Sequence, residues 1–161
     1  MADIFIALGT NLGDKSTNLK MAIEALGEHV HITAKSNLYE TAPMYVNNQP
    51  AFLNMVVRAV TDLSPQELLR FLKKLEAELG REPTFRNGPR MIDLDILYFD
   101  DLLLDDENLQ IPHLRISERS FVLCPLSDIF KNLSDPRTGK TVSNMLKELE
   151  NINDVKILPN L

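Results

Sequence analysis

Phe52-Leu53-Asn54-Met55-Val56-Val57-Arg58-Ala59-Val60, followed closely by Ser64-Pro65-Gln66-Glu67, decides the architecture of this chain. The first run is rich in β-branched and other apolar residues and reads as a largely buried strand. The second is a helix opening: Ser64 can accept from the amide three residues on, Glu67 can reach back to the Ser64 amide, and Pro65 takes the first helical position, where no amide donor is needed. Leu68, Leu69, Leu72, Leu75 and Leu79 then recur at helical spacing up to Gly80, the natural stop.

Outward from this strand and helix the same signals recur. Ile4-Phe5-Ile6-Ala7-Leu8 is a short apolar run ending at Gly9, which predicts a buried strand and a tight loop, Gly9-Thr10-Asn11-Leu12-Gly13-Asp14. Leu19, Ala22, Ile23, Leu26 and Val30 predict a helix capped by Asp14 or Ser16. Ile32 to Tyr39 alternates weakly toward a strand closed by Thr41-Ala42-Pro43. Downstream, Ile92 to Phe99 forms another strand, with Asp93 and Asp95 on one face and Ile92, Leu94 and Ile96 on the other. The order strand, helix, strand, strand, helix, strand is that of the ferredoxin-like superfold: an α+β protein with an antiparallel sheet and two helices on one face. Ser120 to Leu149 adds C-terminal elements, an apolar stretch and a last helix from Val142 to Leu149. No repeat or linker divides the 161 residues, so 1–161 is expected to be a single domain.

Composition narrows the class. Cys124 is the only cysteine, which excludes an internal disulfide framework and fits a reducing, cytoplasmic setting. No apolar run reaches the length of a membrane span. A net charge of −6 repels nucleic acid and anionic membrane, so neither is expected as a partner, and no obligate protein partner is expected. That average hides a local reversal: between residues 81 and 119 the basic residues are Arg81, Arg86, Arg90, Arg115 and Arg119, without a lysine among them. A guanidinium fork matches phosphate or carboxylate oxygens. Two readings stand side by side, a phosphate grip and ordinary surface pairing with Asp100, Asp101, Asp105, Asp106 and Glu107.

Asp93 and Asp95, two apart on a strand, project to one side roughly 6–7 Å from each other. Alone, such a pair reads first as a solvated strand face and only second as a site. Read with Gly80-Arg81 and Arg86-Asn87-Gly88-Pro89-Arg90 immediately ahead, it suits a magnesium-nucleotide site, since Mg²⁺ takes one or two carboxylates and completes its shell with water and phosphates. His113, after Ile111-Pro112, reads as a loop residue whose neutral imidazole can donate to a phosphate or sugar oxygen. Phe52 and Phe121 are consistent with core packing. The residues leave open a kinase, a magnesium nucleotidyltransferase and a non-enzymatic small-molecule binding module.

With these residues assembled, the chain resembles the 6-hydroxymethyl-7,8-dihydropterin pyrophosphokinase family. The resemblance runs from Ala7-Leu8-Gly9-Thr10-Asn11-Leu12-Gly13 to Phe121-Val122-Leu123-Cys124-Pro125-Leu126, through Gln49-Pro50-Ala51-Phe52-Leu53-Asn54 and Ile111-Pro112-His113. Its most specific stretch is Gly88-Pro89-Arg90-Met91-Ile92-Asp93-Leu94-Asp95-Ile96-Leu97. The resemblance implies transfer of pyrophosphate from ATP to the hydroxymethyl group of 6-hydroxymethyl-7,8-dihydropterin, giving AMP and the pterin diphosphate for folate biosynthesis. It implies Asp93 and Asp95 as ligands of two Mg²⁺ ions bound with ATP, and Arg81, Arg86 and Arg90 as catalytic. It also implies ATP contacts from Glu76, Arg81, Arg90, Ile96, His113, Leu114 and Arg119, and pterin contacts from Asn11, Thr41, Met44, Phe52, Asn54 and Phe121. The chain departs from many members in carrying Asn87 where they have tryptophan and a loop one residue shorter between Arg81 and Arg86. Phe52 and Leu114 stand where some members have tyrosine, which keeps the ring at the first position and removes a hydroxyl at both.

Overall fold

The computed structural model describes residues 1–41, 50–80, 91–149 and 155–158. In chain order these form β1 (Ala2–Thr10), α1 (Lys15–Leu26), β2 (Val30–Lys35), β3 (Leu38–Thr41), β4 (Phe52–Thr61), α2 (Pro65–Glu78) and β5 (Asp93–Phe99). A small hairpin of β6 (Leu104–Asp105) and β7 (Gln110–Ile111) follows, then a 3-10 turn (Ile116–Glu118), α3 (Ser120–Phe130), α4 (Val142–Glu148) and β8 (Val155–Leu158). The main sheet runs β5-β1-β4-β3-β8, with β2 also against β4, and every pairing in it is antiparallel. This is the ferredoxin-like order expected from the sequence, with a hairpin, two helices and an edge strand added.

The helix starts behave as their sequences direct. Asp14 accepts from the Thr17 amide at 3.2 Å, and Ser64 and Glu67 form the full reciprocal box, at 3.1 and 2.9 Å. Leu68, Phe71, Leu72 and Leu75 turn one side of α2 inward, toward the sheet face that also buries Leu19, Ala22 and Leu26 of α1. Fully burying each such leucine contributes about 1.5–3 kcal/mol. Val30, which extends the helical spacing of α1, instead opens β2.

Alternation along the strands builds two cores. Ile4, Ile6 and Leu8 meet α1 and α2, whereas Phe5 joins Val56, Leu97, Tyr98, Val122, Leu123 and Leu126 beneath α3 and α4. The near-continuous apolar run of β1 is thus explained by burial on both faces.

One expected strand is two. The chain breaks between β2 and β3 at Ser36, whose amide donates to the Val56 carbonyl while its hydroxyl accepts from the Val56 amide, both at 2.9 Å. The break therefore leaves neither Val56 backbone group unsatisfied. Beyond it, Asn37 and Tyr39 turn to α3, the Asn37 amide donating to Asp128 at 3.1 Å and the Tyr39 hydroxyl at 2.9 Å. Burial and this carboxylate together push the Tyr39 phenol pKa well up.

Candidate active site

Four strand ends converge. The register sets Gly9 opposite Asn54 on one side and Asp93 on the other, Ala7 opposite Asp95, and Thr41 opposite Phe52. Leu8, Leu38, Leu53, Leu94 and Ile96 point toward α1 and α2. By alternation Thr41, Phe52, Asn54, Asp93 and Asp95 face the opposite layer, at the end of the sheet where α3 begins. Asn54 and Asp93 are two strand spacings apart across Gly9, roughly 10 Å.

On one side of Gly9 the groups are polar and apolar in the mixture a flat heterocycle needs. The buried Asn54 amide donates to Thr41 Oγ1 at 3.0 Å, which orients its two ends. Phe52 and Phe121 are half-buried, so each ring keeps surface to offer. The guanidinium of Arg119 lies 5.5 Å from the centre of the Phe121 ring, a cation-π arrangement. Asn11 is fully buried, and its amide donates to the Pro50 carbonyl at 3.1 Å while Lys15 Nζ donates to the Ala51 carbonyl at 2.8 Å. Together these two side chains tie the loop after β1 to the residues that lead into Phe52. Lys15 had no signal in the sequence beyond its place at a helix start.

On the other side the charge is negative. Burial raises the Asp95 carboxyl to about 7, and the neighbouring Asp93 and Glu76 add to the shift, while Arg119 and Lys73 oppose it. Glu76, on α2 and only 3% exposed, accepts from the Leu94 amide at 2.9 Å, bracing the backbone between the two aspartates. Among the described residues no group of three or more His, Cys, Asp or Glu side chains is close enough to make a protein-only metal cage. Half-buried, mutually repelling carboxylates near the buried Glu76 are nonetheless a hard donor set that a divalent cation would neutralise, and Mg²⁺ uses one or two carboxylates in this way. The residues present fit that ion.

His113 enters by an irregularity in β5. Phe5 pairs with Tyr98 and Ile6 with Ile96, so Leu97 is an extra residue in the strand. The bulge puts Leu97 and Tyr98 together in the core beneath α3 and leaves the Leu97 carbonyl to accept from the His113 amide at 3.1 Å. His113 Nδ1 accepts from the Arg115 amide at 3.1 Å, so the neutral ring carries its proton on Nε2. Burial, reinforced by Arg119 and Arg115, lowers its pKa to about 4. The loop residue expected from the sequence is therefore half-buried and held as a neutral Nε2–H donor.

The remaining site residues divide. Ile96 is buried with α1 and α2 and can meet a ligand only through its main chain, whereas Leu114 is 59% exposed. Arg115 lies 3.5 Å from Glu118. Asp105, a candidate partner for the arginine cluster, pairs instead with Arg137; the Asp135-Pro136-Arg137 turn signal marks that segment in the sequence but not its partner. Met44, Arg81, Arg86 and Arg90 lie outside the described residues.

Comparison with known proteins bears on the same stretch of chain. Residues 5–131 match the family profile described as 7,8-dihydro-6-hydroxymethylpterin-pyrophosphokinase (HPPK). The chain is 44% identical over 137 residues to the 2-amino-4-hydroxy-6-hydroxymethyldihydropteridine pyrophosphokinase of Bacillus subtilis, covering 84% of this chain and 82% of that one. It is 40% identical over 156 residues to the folic acid synthesis protein FOL1 of Dictyostelium discoideum, covering 97% of this chain but 24% of the relative, so it spans about a quarter of that longer protein. Among solved structures it is similar to the Plasmodium falciparum HPPK-DHPS wild type, with a TM-score of 0.76 at 16% identity over 91% of this chain and 44% of that one, a likeness of fold. No helix among the described residues is long and apolar enough to cross a membrane.

Proposed function

This chain belongs to the 7,8-dihydro-6-hydroxymethylpterin-pyrophosphokinase family, and from that premise we propose that residues 1–161 act as one domain that transfers pyrophosphate from ATP to 6-hydroxymethyl-7,8-dihydropterin. The hydroxymethyl oxygen forms a bond to the β-phosphorus, the bond from that phosphorus to the bridging oxygen of the α-phosphate breaks, AMP leaves, and the hydroxyl proton is released. The observation that carries the reading is the placement of a carboxylate pair and an oriented amide on either side of Gly9 on one sheet face, which sets a charged subsite beside a heterocycle subsite.

In this reading Phe52 and Phe121 sandwich the pterin, and Asn54, fixed by Thr41, reads its polar edge with Met44 at the rim. Asn11 contributes by holding Pro50 in place. Glu76, Ile96 and Leu114 receive the nucleoside, while His113 Nε2–H, Arg119, Arg81 and Arg90 take the phosphates, and Arg86 reaches the transferring group. Asp93 and Asp95 would hold two Mg²⁺ ions bound with ATP, which would supply neutralisation of the phosphate charge. Catalysis then rests on bringing the hydroxyl into line and on fixed positive charge and N–H donors, the usual demands of phosphoryl-type transfer.

The test is incubation with ATP, Mg²⁺ and 6-hydroxymethyl-7,8-dihydropterin, with nucleotides resolved by chromatography. AMP in step with pterin diphosphate is the expected result. Release of inorganic pyrophosphate with an adenylylated pterin would make the chain a nucleotidyltransferase, and no turnover together with tight ligand binding would make it a binding module.

A further inference from the structure

Arg137 lies on the loop between α3 and α4, outside every segment that carries the expected site, yet its side chain reaches three other residues. Its guanidinium grips Asp105 with both forks, Nη1 to Oδ2 at 3.0 Å and Nη2 to Oδ1 at 2.8 Å. The same Nη2 also donates to the carbonyls of Ile111 and Pro112, each at 3.3 Å. These are the two residues immediately before His113. Arg137 is itself anchored from below: its amide donates to Asp135 Oδ1 at 2.8 Å, and Asp135, only 5% exposed, takes the Tyr98 hydroxyl on Oδ2 at 2.9 Å. Tyr98 is fixed in the core beneath α3, one residue after the bulge whose carbonyl receives the His113 amide.

The segment 111–113 is thus clasped at both ends, by β5 through Leu97 and by the Asp135–Arg137 turn through two carbonyls. We propose that Arg137, locked by Asp105, is a positioning residue that sets His113 for the nucleotide phosphates. It touches neither the carboxylate pair nor the two aromatic rings, so its influence runs through the carbonyls it holds. The inference rests on the assignment of His113 to the phosphates made above. A guanidinium suits the task because one planar group satisfies a carboxylate and two carbonyls together, which an ammonium's point charge and flexible stem do not reproduce.

The experiment compares Arg137→Gln, Asp105→Asn, His113→Ala and the double variant Arg137→Gln/His113→Ala. The readouts are the affinity of a non-hydrolysable ATP analogue with Mg²⁺, the affinity of 6-hydroxymethylpterin, the melting temperature, and the His113 imidazole ¹⁵N resonances. Arg137→Gln and Asp105→Asn are each expected to weaken nucleotide binding roughly tenfold through misplacement of one donor. Pterin affinity stays unchanged, the His113 resonances move, and Arg137→Gln adds less than about twofold to His113→Ala, as expected for residues acting as one unit. The proposal is overturned if the His113 resonances stay put in Arg137→Gln, if that variant costs as much without His113 as with it, or if both affinities fall together with the melting temperature. If His113→Ala itself binds the nucleotide analogue as wild type does, the assignment of His113 to the phosphates fails, and the positioning role in the reaction falls with it; the imidazole resonances tell that failure from the others.

Discussion

Gly9 lies directly opposite Asn54 in the pairing of β1 with β4, and a Cβ atom at position 9 would stand 2.9 Å from Asn54 Oδ1. Real Cβ contacts do not come that close, so the side chain of Asn54 occupies the space that glycine leaves. Gly9→Ala is expected to swing the amide off Thr41 and to cost about 1–3 kcal/mol of pterin binding, tenfold or more in affinity. Nucleotide affinity should change little. Titration calorimetry with each ligand separately checks this; equal losses for both would mean that the substitution disturbs the whole sheet end rather than the amide.

At Asp95 the proposed metal-holding role and the stability of the fold pull in opposite directions. Burial, Asp93 and Glu76 all disfavour its charge. In magnesium-free buffer Asp95→Asn is expected to stabilise the fold by on the order of 1 kcal/mol, as removal of a strained functional group commonly does. Turnover with Mg²⁺ and ATP should fall at least roughly a hundredfold through loss of charge stabilisation. Thermal melts with and without Mg²⁺ and ATP, beside the AMP assay, decide the matter; a destabilised variant with normal turnover would contradict both halves.

His113 supplies a pH dependence with a definite sign. Its folded pKa of about 4 lies below the ordinary histidine value of 6.5, so between those values the unfolded chain binds the extra proton. The stability it contributes is complete above pH 6.5 and is lost as the pH falls through 4, with a slope of up to about 1.4 kcal/mol per pH unit. Urea unfolding of wild type and His113→Gln across this window should show a shallower decline in the variant. Parallel curves would remove His113 as the source.

Tyr98 and Asp135 form a buried hydrogen-bonded pair. Tyr98→Phe leaves Asp135 Oδ2 without the hydroxyl that donates to it, while Oδ1 keeps the Arg137 amide. The expected loss is about 1–3 kcal/mol of stability, measured by chemical denaturation. The phenol pKa is pushed up by burial and by that carboxylate, so tyrosinate absorbance from Tyr98 should be absent at pH 11 in the folded protein and appear on unfolding.

The parts of the fold that the sequence announces are those whose causes are local. Ser64, Pro65 and Glu67 lie within one turn, and Asp93 and Asp95 reveal a shared face by their spacing alone. The break at Ser36 has no such signature, because what rewards it lies at Val56 and at Asp128, 91 residues from Asn37. The helix α3 was legible only as an apolar stretch: Val122, Leu123, Cys124, Pro125 and Leu126 are buried in succession, so no 3.6-residue stripe appears. In the site, His113 was visible as a loop histidine, but its tautomer depends on the Arg115 amide and its seat on the Leu97 carbonyl. Arg137 was invisible as a participant because Asp105 is 32 residues away.

The bulge at Leu97 makes the strand that carries the aspartates a matter of counting. Upstream of it odd-numbered residues face the layer of α3, and downstream the parity is reversed, so Tyr98 rather than Phe99 shares their side. Were the strand straightened with all its residues kept, either both acids would turn into the oily layer under α1 and α2 or the phenol would leave its seat, because Asp95 and Tyr98 share a side although they are three residues apart. A single-residue deletion between Asp95 and Tyr98 should consequently keep acids and phenol on one side and cost the Leu97 seat of His113, whereas a deletion between Asp93 and Asp95 would split the acids between the two layers. The extra residue is the hinge between two reading frames, one for chemistry and one for foundation.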